Sequence, residues 1–126
     1  MENKTIVITG ASSGAGKSTA LELAPENVNL VLAARNETAL LELADECREL
    51  GADVLVLPTD VCDRTAVLEL AQKAFEWKGR IDVWVNNAGV LAAGTFEETP
   101  WETHQQVINT NLLGYMSATH AVLPFF

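Results

Sequence analysis

Short β-branched and apolar runs alternate along the chain with longer segments whose apolar residues recur every three or four positions. The first kind of run reads as a buried strand and the second as a helix lying on a sheet. Strands are predicted at Lys4 to Thr9, Val28 to Ala34, Val54 to Leu57 and Ile81 to Val85. A helix from about Ser13 into Leu23 follows the first strand, closed by Pro25 and by Asn27, a residue that tolerates the left-handed conformation. Asn36 is placed to cap a second helix through Leu40, Leu43, Ala44, Cys47 and Leu50, which Gly51 ends. Asp63 caps a third, with Val67, Leu70, Ala71, Ala74 and Phe75 on its apolar face and Gly79 as its stop. Thr99-Pro100-Trp101-Glu102 combines a capping box with Pro at the first helical position. The helix it starts runs to about Leu123, and the weak helix formers Asn111 and Gly114 predict a bend within it. Strands alternating with helices imply an α/β fold with a parallel sheet and right-handed crossovers.

Composition narrows the function classes. The 126 residues leave room for one domain, expected to span 1–126, and 48% hydrophobic against 20% charged content reads as soluble and globular. No run approaches the ~20 apolar residues of a membrane helix, and nothing near Met1 resembles a signal peptide, so a cytoplasmic location is expected. A formal charge of −9 argues against a nucleic-acid partner. Cys47 and Cys62 fit neither a metal site nor a disulfide framework, so no metal is expected. Both read as inert thiols, and His104 and His120 need no role beyond surface or packing.

Candidate chemistry begins at Thr9-Gly10-Ala11-Ser12-Ser13-Gly14-Ala15-Gly16, between the first strand and the first helix. Backbone N–H groups and the positive end of a helix dipole face an anion at such a turn. Gly10 permits the tight turn, Gly14 the approach of backbone to a pyrophosphate, and Gly16 close helix–strand packing. The same stretch, Ala11 to Ser18 (ASSGAGKS), nearly satisfies the phosphate-loop pattern of nucleoside triphosphatases, in which Lys17 would reach the β/γ-phosphates and Ser18 would hold Mg²⁺. That reading needs a metal-holding acid at a strand tip, and Asp60 stands apart from its strand behind Pro58 and Thr59. A non-enzymatic minimal scaffold of the same fold is a third reading.

TGASSGAG after the first strand, Asp60-Val61 after the third, Asn86-Asn87-Ala88-Gly89 after the fourth and Asn111 in the next helix occur together and in order. In this the chain resembles the short-chain dehydrogenases/reductases over essentially its whole length. The resemblance implies a Rossmann-type sheet of strand order 3-2-1-4 with helices on both faces. It implies an oxidoreductase moving hydride between a nicotinamide cofactor and a small carbonyl or alcohol substrate. Gly10, Ser12, Ser13, Gly14, Ala15 and Gly16 would line the pyrophosphate and adenosine ribose, with Ala15 where the family has a bulkier apolar residue. Asp60 would accept from the adenine amino group beside the Val61 backbone. Asn87, Ala88 and Gly89 would pass under the adenosine ribose, Asn86 would tie neighbouring strands, and Asn111 matches the family's catalytic asparagine.

Cofactor choice has a physical handle. In dinucleotide folds an acid past the glycines binds the ribose 2′-OH, whereas an Arg accommodates a 2′-phosphate. The second strand ends in Ala33-Ala34-Arg35 with no acid, so NADP is expected, with NAD possible. The family's active enzymes also carry a Ser after a fifth strand and a Tyr-x-x-x-Lys on the next helix. Tyr115 is the only tyrosine and position 119 is Thr, so the chain is expected to stop before that machinery and to be inactive alone. Its apolar last helix and open fourth strand lead to the expectation of a homo-oligomer.

Overall fold

The computed structural model describes residues Met1–Phe126. Four strands, β1 (Thr5–Thr9), β2 (Asn29–Ala34), β3 (Asp53–Pro58) and β4 (Val83–Val85), form one sheet of order β3-β2-β1-β4. All three pairings are parallel, with Val7 opposite Val31 and Trp84, and Val31 opposite Leu55. The helices are α1 (Gly14–Leu23), α2 (Glu37–Glu49), α3 (Arg64–Lys78), α4 (Trp101–Ile108) and α5 (Gly114–Val122).

The two-residue period of β1 and β2 separates the helices into two layers. Ile6, Ile8, Leu30, Leu32 and Ala34 point to one face and pack with Ala20 of α1 and Leu40, Leu43, Ala44 and Cys47 of α2. Val7, Val31 and Ala33 point to the other, against Leu70 and Ala74 of α3 and Val122 at the end of α5. Central strands covered on both faces carry apolar residues at nearly every position, which is why they read as unbroken runs.

Local signals fix most boundaries. Asn36 Oδ1 accepts from the Ala39 amide at 3.1 Å and Asp63 Oδ1 from the Ala66 amide at 3.3 Å, so both expected caps form. Asn27 takes φ +60° and Gly79 φ +73° at their helix ends. Arg64 ties α3 to α5, donating to the Ser117 carbonyl at 2.6 Å and to the Ser117 hydroxyl at 3.0 Å.

Three expectations need correction. The capping box before α4 does not form: the Thr99 hydroxyl donates back to the Thr95 carbonyl at 2.7 Å, and the helix begins at Trp101 with Pro100 as its flanking residue. The helix that starts at Trp101 is not one continuous α-helix: a π-helical turn over Asn109–Leu113, with one extra residue, joins α4 to α5. The third correction bears on the phosphate-loop argument. Strand pairing continues through Pro58 to Thr59, whose amide donates to the Ala34 carbonyl at 2.9 Å, so Asp60 does stand at a strand tip.

Candidate functional site

A cleft of about 650 Å³ opens at the carboxyl end of the sheet, where β1, β2, β3 and β4 all deliver their following loops. Ligands of open parallel sheets bind at this end. The β1–α1 turn contributes Gly10, Ser12, Ser13, Gly14 and Ala15; the end of β2 contributes Ala34, Arg35 and Asn36; the end of β3 contributes Thr59, Asp60 and Val61. The segment after β4 adds Asn87, Ala88, Gly89 and Val90, and Thr110 closes the far wall.

The glycines have distinct jobs. Gly10 sits at φ +64°, and a Cβ there would lie 2.7 Å from the Ala88 Cα, so the first turn and the post-β4 segment touch backbone to backbone. Gly14 sits at φ +56°, and a Cβ there would meet nothing within 4 Å, leaving its surface open to the cleft. Gly16 takes the packing role expected of it and not the lining one: it is buried behind the cleft, where a Cβ would meet the Gly10 carbonyl oxygen and Asn87 Nδ2 at 2.5 Å each. Its role is to let α1 seat against the turn, and it lines nothing.

Thr9 belongs to the site although no sequence motif points to it. It is buried, and its hydroxyl oxygen accepts from the amides of Asn87 at 3.0 Å and Ala88 at 3.2 Å while donating to the Val85 carbonyl at 3.3 Å. A hydroxyl at the last position of a central strand, just before the first glycine, is the signal that could have found it. Asn87 completes the junction by donating from Nδ2 to the Gly10 carbonyl at 3.1 Å. Asn87, not Asn86, therefore ties the neighbouring strand ends. Asn86 instead accepts from Trp84 Nε1 at 3.0 Å and donates to the Thr119 hydroxyl at 3.0 Å, linking β4 to α5.

Asn111 sits at the centre of the π-turn. Its side chain does not line the cleft. Its Oδ1 accepts from the Val90 amide and its Nδ2 donates to the Val90 carbonyl, both at 2.8 Å. Both ends of the carboxamide are engaged with backbone, so the side chain positions Val90. Thr110 faces the cleft because the π-turn rotates it inward, where its hydroxyl accepts from Gln106 Nε2 at 3.1 Å and lies 3.3 Å from Cys62 Sγ. Gly114, next after the turn, lets α5 approach Val61: a Cβ there would come within 2.9 Å of Val61 Cγ2.

The electrostatics at the glycine turn favour an anion. The first turn of α1 carries no carboxylate, and its amide end opens on the cleft. Arg35 is exposed at the rim, and none of the four salt bridges in the structure involves it. Asp60 is the one carboxylate on the wall; its Oδ1 accepts from the Cys62 amide at 2.9 Å, which fixes its orientation. Lys17 is exposed and does not line the cleft, so the feature that would make the turn a triphosphate loop is missing from it. No group of histidine, cysteine and carboxylate side chains could hold a metal ion. No helix is long and apolar enough to cross a membrane.

Comparison with known proteins agrees with this geometry. A family model described as short chain dehydrogenase matches residues 4–126. An NADP-dependent 3-hydroxy acid dehydrogenase of Schizosaccharomyces pombe is 43% identical, aligned over all of this chain and 50% of its own length. An 11-beta-hydroxysteroid dehydrogenase A of Sesamum indicum is 39% identical over 97% of this chain and 36% of its own. Among solved structures, an alcohol dehydrogenase from the archaeon Thermococcus sibiricus, complexed with 5-hydroxy-NADP, superposes with a TM-score of 0.94 at 37% identity. It covers 98% of this chain, which covers 53% of it. A short chain dehydrogenase/reductase from Burkholderia phymatum in complex with NAD gives a TM-score of 0.94 at 35% identity, over 99% of this chain and 44% of that one. The chain thus spans about half the length, or less, of these relatives. With the strand order, the order of the loop motifs and the family match in agreement, this chain belongs to the short-chain dehydrogenase family.

Proposed function

We propose that this chain is the cofactor-binding part of an NADP(H)-dependent oxidoreductase acting on small carbonyl or alcohol substrates. The observation that carries the reading is the cleft itself, a glycine turn on a helix N-terminus with an unpaired arginine and no carboxylate at the end of β2. The residues present suit a dinucleotide. Gly14 leaves the backbone bare, the Ser12 and Ser13 region and the α1 amides suit a pyrophosphate, and Arg35 suits a 2′-phosphate. Asp60 and Val61 would hold the adenine, and Asn87, Ala88 and Gly89 the adenosine ribose. Nicotinamide supplies hydride transfer when it is bound. The chain's own part is to bind and orient it: Thr9 and Asn87 lock the post-β4 segment to the glycine turn, and Asn111 fixes Val90 beside it.

Titration with NADP⁺ and with Mg-ATP tests the reading. Binding of NADP⁺ and indifference to Mg-ATP is expected, with Lys17→Ala leaving NADP⁺ affinity as it was; tight Mg-ATP binding that disappears in that variant would return the site to the triphosphate reading. Steady turnover by these 126 residues alone is not expected. Tyr115 lies on α5, and no Tyr-x-x-x-Lys is present, so positioned acid–base help worth about 10²–10⁴ in rate is missing.

The same reading includes self-association. Ile108, Leu112 and Met116 follow one another along α4, the π-turn and α5, each more than half exposed, and Leu123 extends the strip. A contiguous apolar surface of this kind marks an interface, and a homo-oligomer through it is expected in light scattering. Two unpaired cysteines suit a reducing compartment, in line with a cytoplasmic location.

A further inference from the structure

Arg64, the first residue of α3, reaches across to α5 in three hydrogen bonds. Two go to Ser117, and the third joins its Nη2 to Nδ1 of His120 at 2.8 Å. This third bond fixes the state of the ring. A guanidinium has donors and no acceptor, so Nδ1 of His120 has to accept. His120 is therefore neutral, with its proton on Nε2, whenever the bond is made. A protonated ring carries N–H at both nitrogens and sets a cation against the guanidinium, so a proton on His120 breaks the bond and repels Arg64.

The clasp closes the seam on which one end of the cofactor cleft is built. Asp60 and Val61 reach the cleft from the turn before α3, and Thr110 reaches it from the π-turn before α5. Cys62 Sγ and Thr110 Oγ1, 3.3 Å apart, bridge the seam beside the cleft, and Val61 lies against Gly114 of α5. Further along, Val67 and Ala71 of α3 share a buried cluster with Ala118 and Ala121 of α5, and Arg64 and His120 sit exposed at its edge. The other charged residues of α3, Glu69, Lys73, Glu76 and Lys78, stand more than a turn beyond Arg64, with Lys78 paired to Asp53 and Glu76 accepting from Gln72. Asp63 is taken up by the Ala66 amide and Asp60 by the Cys62 amide. On α5 the other titratable group is Tyr115, and neither the π-turn nor the turn over Leu123–Phe125 carries a titratable side chain. Arg64 is thus the charge that faces the ring.

We propose that Arg64 and His120 form a proton-sensitive clasp that makes dinucleotide affinity depend on pH, closed while His120 is neutral and open once it is protonated. This rests on the dinucleotide reading of the cleft. Imidazole changes charge between about pH 5 and pH 8, so the clasp is closed at the upper end of that window and opens toward the lower end. Opening releases the turn before α3 from α5, and the wall made by Asp60 and Val61 is no longer held against Thr110. Linkage makes the effect mutual: a dinucleotide that prefers the closed seam opposes the proton by the same factor as the proton weakens the dinucleotide.

Two measurements on the full chain test it. Long-range ¹H–¹⁵N spectra of the imidazole rings at pH 8 read the tautomer, and the expected result is a fixed Nε2–H form for His120 with Nδ1 as an acceptor. A ring that averages between tautomers, or an Nδ1–H form, would overturn the clasp. Calorimetric titration with NADP⁺ at pH 7.5 and at pH 5.5 then reads the coupling. The 2′-phosphate also titrates in this window, so wild type is compared with His120→Asn, whose carboxamide oxygen takes the place of Nδ1 as acceptor and does not protonate. Between the two pH values the wild-type affinity should fall about threefold more than that of the variant, the scale of an exposed charge contact. Arg64→Ala should lose the same excess. An equal fall in wild type and His120→Asn, or an excess that persists in Arg64→Ala, would overturn the proposal. No binding of NADP⁺ by wild type at pH 7.5 would sink the dinucleotide reading instead, and the ring spectrum, which needs no cofactor, would still decide on the clasp.

Discussion

The Asn111 carboxamide and the Val90 peptide form a closed pair of hydrogen bonds, Val90 N–H to Oδ1 and Nδ2 to the Val90 carbonyl, each 2.8 Å long. The geometry imitates one rung of a strand ladder, supplied by a side chain at the centre of a π-turn. It couples the irregular segment after β4 to the helix layer beside the cleft. Asn111→Ala removes both bonds, and at about 0.5–1.5 kcal/mol each it should cost about 1–3 kcal/mol in urea denaturation. Asn111→Asp keeps the acceptor and loses the donor, so it should fall between the two. A stability equal to wild type in both variants would mean that the pair contributes nothing to the fold.

Gly16 and Gly14 differ in what limits them, which gives a second prediction. At Gly16 an added methyl meets the Gly10 carbonyl and Asn87 Nδ2, neither of which can retreat without opening the cleft junction. At Gly14 only the positive φ resists a side chain. Gly14→Ala should therefore lose about 1–2 kcal/mol, the cost of a left-handed conformation, and Gly16→Ala clearly more, about 2–4 kcal/mol for an overpacked backbone contact. Thermal melts of the two variants check the order; the reverse order would contradict the packing role given to Gly16.

Acid should loosen the opposite end of the sheet first. Asp82 accepts from the Thr5 amide at 2.8 Å and from Arg80 Nε and Nη2 at 2.8 and 2.6 Å, with Lys4 Nζ 3.9 Å away. The Arg80 hydrogen bonds hold its carboxyl below the usual carboxylate range, against a smaller opposing effect of burial. Because the folded value is depressed, the stabilisation is complete above the unfolded value of about 4. It is lost as pH falls through the folded value. Asp82→Asn should be less stable than wild type at neutral pH, and the gap should close below about pH 4. Denaturation midpoints across that window read it directly; a gap that stays constant would remove Asp82 from the account.

Much of the frame was legible because local and tertiary signals agree. Asn36, Asp63, Asn27 and Gly79 each behave as their side chains dictate, and the apolar β1 and β2 announce a sheet covered on both faces. The strand order was implied by the family resemblance that the loop motifs carry, not by periodicity. What could not be read were features that depend on distant backbone. Thr9 looks like any β-branched strand residue until the segment after β4 arrives above it. The π-turn has no composition of its own, so Asn111 and Gly114 signalled a disturbance in the helix but not the extra residue that turns Thr110 to the cleft. The packing role of Gly16 was legible from its place in the motif, but not that its neighbour would be the Gly10 carbonyl. Thr99 lost its expected cap to a competing carbonyl four residues back, a local alternative open to any threonine in a loop.

The central claim, a dinucleotide cleft selective for the 2′-phosphate, is tested most directly by calorimetric titration of the chain and of Arg35→Ala with NADP⁺ and NAD⁺. A charge-assisted bidentate contact contributes about 1.5–3 kcal/mol, so wild type should prefer NADP⁺ by about tenfold or more. In Arg35→Ala the NADP⁺ affinity should drop to the NAD⁺ level while NAD⁺ itself binds as before. An NADP⁺ to NAD⁺ ratio unchanged by the substitution, or no binding of either dinucleotide, would contradict the account.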